Sequence, residues 1–181
     1  DVITIDGGDD ADVLTVSGTN NFSASPAFVG IETIEVNSNV TFTVAQIAAA
    51  GAAIVVADGG SGEHAITLTG TGAVSLTALT GITSLTVASG VEVVLSDQAV
   101  TDLVATVDAD AGFTTGLSLA TGAVVAVSAA SKTALTSGTT PVIAVADLVY
   151  AIKDTAANIL AEFNTDSTYI SGATSVTVLA G

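Results

Sequence analysis

"FVGIETIEVNSNVTFTVAQI", Phe28 to Ile47, returns in diverged form as "LTGITSLTVASGVEVVLSDQ", Leu79 to Gln98, 51 positions later. Gly30 falls on Gly81, Val36 on Val87 and Val40 on Val91. Each copy carries short runs in which β-branched residues alternate with Thr, Ser or Glu, bounded by Gly, Asn or Asp. That is the pattern of strands buried on one face. A unit this small cannot close a core alone, so its repetition predicts stacking of one copy on the next.

Acidic turns precede the two copies at nearly the same offset. "DGGDDADVLTVSGT" (Asp6 to Thr19) is matched 52 positions on by "DGGSGEHAITLTGT" (Asp58 to Thr71). A fainter third copy, "LVATVDADAGFTTGLSLATGAVVAVS", has its acidic turn at Asp108 and Asp110, and the pattern changes again after Pro141. The expected organisation is a repeat-built β domain over 1–140, with units of about 1–52, 53–103 and 104–140. A modified terminal unit, 141–181, follows with one helix and a final strand.

Strand signals recur at "ITI", "VLTV", "IETIEV", "VTFTV", "AIVVA", "AITLT", "AVSLT", "SLTVA", "VEVVL", "LVATV", "GLSLA" and "AVVAV". Even spacing suits a sandwich or a solenoid, and the internal repeat decides for the solenoid. With 5 Phe and 2 Tyr the core must be thin, whereas facing sheets of a sandwich want bulkier residues. The expected fold is therefore all-β dominated: a β-solenoid of parallel β-helix-like repeats with short corner helices. An Ig-type β-sandwich is the alternative. Helices are expected at Thr43 to Ala52, Ser96 to Leu103 and Asp154 to Asn164, the last with Asp154 as N-cap.

Two basic residues against 18 acidic ones give a net charge of -16. Such a surface repels phosphate backbones and anionic membranes, which excludes nucleic acid as a natural partner and makes divalent cations the natural counterions. At 49% hydrophobic the chain can nevertheless bury a core. No window of eighteen apolar residues occurs, so no membrane span is expected. Cysteine is absent, which excludes disulfides and thiolate metal sites. Methionine is absent even at position 1, as expected of a processed chain or a piece of a longer one.

"GGDDADVLT" (Gly7 to Thr15) resembles the glycine- and aspartate-rich nonapeptide of RTX proteins, with Asp12 at the aspartate position and Leu14 at the apolar one. "GGSGEHAIT" (Gly59 to Thr67) fits the glycines better but has His64 in place of the aspartate. The remainder, including Tyr150 to Val178, is similar to repeat segments of bacterial surface-layer and adhesin-like proteins secreted by the type I route. The resemblance implies calcium on hard oxygen ligands of the turn, here Asp6, Asp9, Asp10 and Asp12. Read from the residues alone, the same turn is a solvated acidic corner, and both readings stand at this point. The resemblance also implies an extracellular, cell-surface location, with cell-surface polysaccharide as a candidate partner.

Other constellations carry less. His64 beside Glu63 has no nucleophile nearby and reads as a polar turn residue. Lys132 and Lys153 are the only cations, too few for a site that grips anionic sugars. The T-x-T pairs at Thr41/Thr43, Thr67/Thr69 and Thr69/Thr71 suggest a threonine array of the ice-binding kind, which ordinary outward β-propensity explains better. No serine-hydrolase elbow, zinc-protease motif or P-loop occurs. The expected function is non-enzymatic and structural: a self-assembling surface-layer or filament subunit, or an adhesin segment. A calcium-dependent binding module is the alternative. Strand-like ends, "DVITID" and "TSVTVLAG", suit pairing between copies.

Overall fold

The computed structural model describes residues 4–16, 20–21, 27–50, 53–56, 64–109, 116–137, 142–143, 147–165, 170 and 172–181. Its elements are β1 (Thr4–Asp6), β2 (Val13–Val16), β3 (Asn20–Asn21), β4 (Ala27–Val29), β5 (Thr33–Val36), β6 (Val40–Thr43), α1 (Val44–Ala50), β7 (Ala53–Val56), β8 (Ala65–Thr69), β9 (Gly72–Leu76) and β10 (Ser84–Val87). There follow β11 (Val91–Leu95), α2 (Asp97–Ala109), β12 (Leu117–Leu119), β13 (Val124–Val127), α3 (Ala129–Thr136), β14 (Tyr150–Thr155), α4 (Ala156–Thr165) and β15 (Ser175–Leu179).

Every pairing among these strands is parallel. The sheets run β1-β4, β2-β5-β7, β12-β10-β8-β6-β3 and β15-β14-β13-β11-β9, and none closes into a barrel. The fold is thus strand-rich and built of parallel sheets. An Ig-type sandwich requires antiparallel hairpins, and no two paired strands here are joined by one, so that alternative is overturned.

Register shows how far the chain travels before a strand meets its neighbour. Val13 faces Thr33 and Thr33 faces Ala53, steps of 20 residues. Gly72 faces Val91, a step of 19. Glu92 faces Val124, a step of 32 that encloses α2. The strand after Gly30, β5, therefore pairs with β2 and β7, while the strand after Gly81, β10, pairs with β8 and β12. The 51-residue similarity lies in local order instead. Gly30 and Gly81 both have positive φ, at 60° and 76°, and each is followed by strand, strand and helix.

Alternation sets the inward faces. Val40 and Phe42 on β6 face Ile66 and Leu68 on β8, which face Leu85 and Val87 on β10, and all six are at most 3% exposed. Val74, Val93 and Val125 form a parallel file on β9, β11 and β13. These files join in one core cluster that also takes Ala99, Val100 and Leu103 from α2. Phe28 and Phe42 meet edge to face, with ring centroids 5.9 Å apart.

Each helix starts where a hydroxyl ends the preceding extended run. Thr43 and Gln46 make a reciprocal capping box for α1, the Gln46 N–H donating to Thr43 Oγ1 and the Thr43 N–H to Gln46 Oε1. Ser96 Oγ accepts the Ala99 N–H of α2, Ser128 Oγ the Ser131 N–H of α3, and Thr155 Oγ1 the Asn158 N–H of α4. Three expectations are corrected here. "LVATV" is helical within α2, because Ala99, Val100 and Leu103 lie three to four apart and bury one face, a gain that overrides the β-propensity of its valines. With it Asp108 belongs to a helix rather than a turn, and Asp110 lies outside the described residues. Thr155 rather than Asp154 caps α4, since Asp154 ends β14 and turns inward.

Candidate functional site

The turn between β1 and β2 is built on two glycines from successive passes of the chain. The Gly7 N–H donates to the Val29 carbonyl at 2.9 Å, and a Cβ on Gly7 would stand 2.3 Å from the Gly30 carbonyl oxygen and 2.6 Å from Asp12 Cβ. Gly30, in the left-handed region, would put its own Cβ 2.6 Å from the Gly8 carbonyl oxygen. Only glycine lets these two turns approach so closely.

Asp6 Oδ1 accepts the Gly8 N–H at 3.1 Å, closing a local turn, while Asp9 and Asp10 are exposed. Asp12 is partly buried and tied to the next pass. Its N–H donates to Glu32 Oε2 at 2.8 Å, and its carbonyl accepts the N–H groups of Glu32 and Thr33, both at 3.2 Å. Asp12 Oδ2 is buried without a hydrogen-bond partner. Glu32 was missed in the sequence, though the 20-residue step would have found it, since Asp12 and Glu32 are 20 apart. So are Thr15 and Glu35, whose Oγ1 and Oε2 bond at 3.2 Å. Among the described residues no three acidic or histidine side chains converge as a metal shell, so Asp6, Asp9, Asp10 and Asp12 are not brought to one point. The donor set offers calcium one orphaned hard oxygen, Asp12 Oδ2, on the glycine that the Gly30 carbonyl also crowds. Oxygens of that kind fit the ion's chemistry.

His64 is buried, 1% exposed, not the solvated turn residue its sequence context suggested. Its backbone is held in the ladder: the His64 N–H donates to Thr83 Oγ1 at 3.0 Å and the Thr83 N–H to the His64 carbonyl at 3.1 Å. Glu63 and the glycines before it lie outside the described residues. Both lysines are engaged, Lys153 with Glu92 at 2.5 Å and Lys132 over the Tyr150 ring at 5.6 Å.

Three other carboxylates tie the helices to their neighbours. Asp97 Oδ1 accepts Ser128 Oγ and Ser131 Oγ, each at 2.5 Å. Asp102 accepts the Leu79 N–H, Thr80 Oγ1 and Gln98 Nε2. Asp154, 8% exposed, accepts the N–H groups of Ala129 and Thr155 and Asn158 Nδ2. Burial alone would raise the Asp154 pKa, but the donated hydrogen bonds outweigh it and hold the carboxyl below its ordinary 3.8.

Threonines line one outer face in register. Thr41, Thr67, Thr86 and Ser118 form an unbroken file across β6, β8, β10 and β12, whereas Thr43 faces Thr69 and β10 ends before adding a third. At the far end of the β9–β15 sheet, β15 has a neighbour on one side only, and its Val176, Val178 and Leu179 are exposed. Leu160 and Phe163 on α4 are exposed too. No described helix is long and apolar enough to cross a membrane. Comparison with family models, curated proteins and solved structures found no match.

Proposed function

We propose that the chain is a segment of a β-solenoid and serves as a non-catalytic structural element of a bacterial cell surface, a surface-layer or filament subunit or an adhesin stalk, secreted and self-assembling. The observation that carries this reading is the exclusively parallel pairing at short, regular steps, with core files passing from each strand to its register partner. Such a stack is extended by adding turns, and its strength comes from neighbour contacts rather than from any one site. The carboxylates support it: Asp97, Asp102 and Asp154 spend their oxygens on neighbouring backbone and hydroxyls rather than facing a shared cleft. The resemblance of Gly7 to Thr15 to the RTX nonapeptide supports secretion and the cell-surface location.

Asp12 favours a second reading, a calcium-dependent module. A cation held by Asp12 Oδ2, with turn carbonyls such as that of Gly30, would satisfy the orphaned oxygen and offset the charge of the acidic turn. Electron microscopy of the purified chain with calcium and with chelator tests both. Ordered fibres or sheets that dissolve on chelation support calcium-linked assembly. Fibres indifferent to chelator support the structural reading alone, and monodisperse particles in both conditions remove self-assembly.

A further inference from the structure

One end of the stack is left open with its core side showing. On β14 the inward residues Ile152 and Asp154 are buried, at 0% and 8% exposure, but their register partners on β15, Val176 and Val178, are 40% and 61% exposed. The other edge of β15 has no strand beside it. Behind it α4 holds Ile159 against the core and leaves Leu160 and Phe163 uncovered. The outer edge of a parallel sheet therefore adjoins a group of apolar side chains, the combination that another strand-and-core layer covers.

The opposite end of the molecule has the complementary form. β1 pairs with β4, α1 packs against both β4 and β9, and from β9 the parallel sheet runs on to β15. β1 and β15 thus terminate the same succession of elements, and each has one edge unpaired. Because all the strands run parallel, a second copy displaced along the stack sets its β1 beside β15 without reversing direction. Its Ile5, packed against the core from the first turn, then lies on the side of Val176 and Val178. β2 follows β1 as α4 follows β14, so the partly buried Leu14 comes to the side of Leu160 and Phe163.

We propose that the face formed by β15 and α4 is the docking site for the first turn, β1 and β2, of a second copy of this chain. The proposal rests on the self-assembly reading above and names its contact. Such an interface is heterologous, so each added copy leaves a new open end and growth is linear. Asp6, Asp9 and Asp10 are exposed at one end and Glu162 lies on α4 at the other. Like charges then meet across the contact, and salt or calcium strengthens association by screening them.

Sedimentation velocity of the full chain over a range of concentration, at low salt, high salt and with calcium, tests this. Wild type is expected to sediment as growing oligomers, more so in salt. Val178→Lys, which puts a charge on an already exposed position of the open edge, is expected to stay monomeric with an unchanged circular dichroism spectrum. Ser118→Lys, on the side of the stack, is expected to assemble like wild type. If Val178→Lys fails to fold, Leu160→Lys on α4 makes the same measurement. Assembly of the end variants equal to wild type overturns the end-on contact while leaving self-assembly standing. A wild-type monomer under every condition overturns both.

Discussion

Replacing Asp154 by alanine isolates one carboxylate that binds three elements together. Its Oδ2 accepts the Ala129 N–H at the start of α3 at 3.1 Å, and its Oδ1 accepts the Thr155 N–H at 2.7 Å and Asn158 Nδ2 at 2.8 Å. Ala129 is fully buried, so the variant leaves its N–H without acceptor or water, a loss of about 1–3 kcal/mol. Thr155 and Asn158 lie nearer solvent and recover most of their bonding from water. The expected destabilisation is about 2–3 kcal/mol, which at a urea slope of about 2 kcal/mol/M lowers the midpoint by about 1–1.5 M.

The same group fixes the sign of a pH dependence. Hydrogen bonds hold its folded pKa below 3.8, so its stabilising contribution is fully present above the unfolded value and is lost as pH falls through the lower folded value. The gap between wild type and Asp154→Ala should therefore be constant from neutral pH to about pH 5 and shrink in stronger acid. Asp154→Asn, which keeps one acceptor oxygen but no charge, should fall between the two. Urea titrations at several pH values, followed by circular dichroism, make the measurement. A loss below about 0.5 kcal/mol, the size of an ordinary surface change, would refute the reasoning, as would a gap that ignores pH.

Gly30→Ala should lose about 2–4 kcal/mol, from the left-handed backbone and from a Cβ placed 2.6 Å from the Gly8 carbonyl, and thermal denaturation should show a lower midpoint; an unchanged midpoint contradicts the close crossing of the two turns. Leu68→Ala, fully buried between Phe42 and Val87 in the ladder, should cost about 2–5 kcal/mol in the same assay, and a surface-like loss would place Leu68 outside the core. A double-mutant cycle on Glu92 and Lys153, whose side chains are 35% and 29% exposed, should return less than about 1 kcal/mol and vanish in high salt; a larger, salt-resistant coupling contradicts a solvated pair.

The glycine-rich turn, the strand identities and two of the helix caps are legible without coordinates, because turn chemistry, side-chain alternation and capping act within a few residues. "VTFTV" and "VEVVL" read as strands and are strands; Thr43 and Ser96 read as helix starts and cap α1 and α2. α3 was missed, although "SAASKTALT" carries its Ser128 cap, because an apolar run "AVVAV" precedes it directly. Of the candidate site, the acidic turn was visible and its closure was not. Glu32 comes to Asp12 from another pass of the chain.

Composition alone set the charge, the absence of thiol chemistry and the thinness of the core, since these are sums over residues and need no arrangement. Which strand lies beside which was decided only in three dimensions. Parallel neighbours are chosen by the length of chain that brings equivalent positions into register, here steps of 19 or 20 residues that lengthen to 32 around α2. A linear comparison finds the best-preserved copies, 51 residues apart, which are not those in contact. Burial follows the same logic. His64 reads as a polar turn residue by its neighbours in the chain, yet it is enclosed by the turns of the stack, because the side chains that exclude water from it are contributed from distant positions.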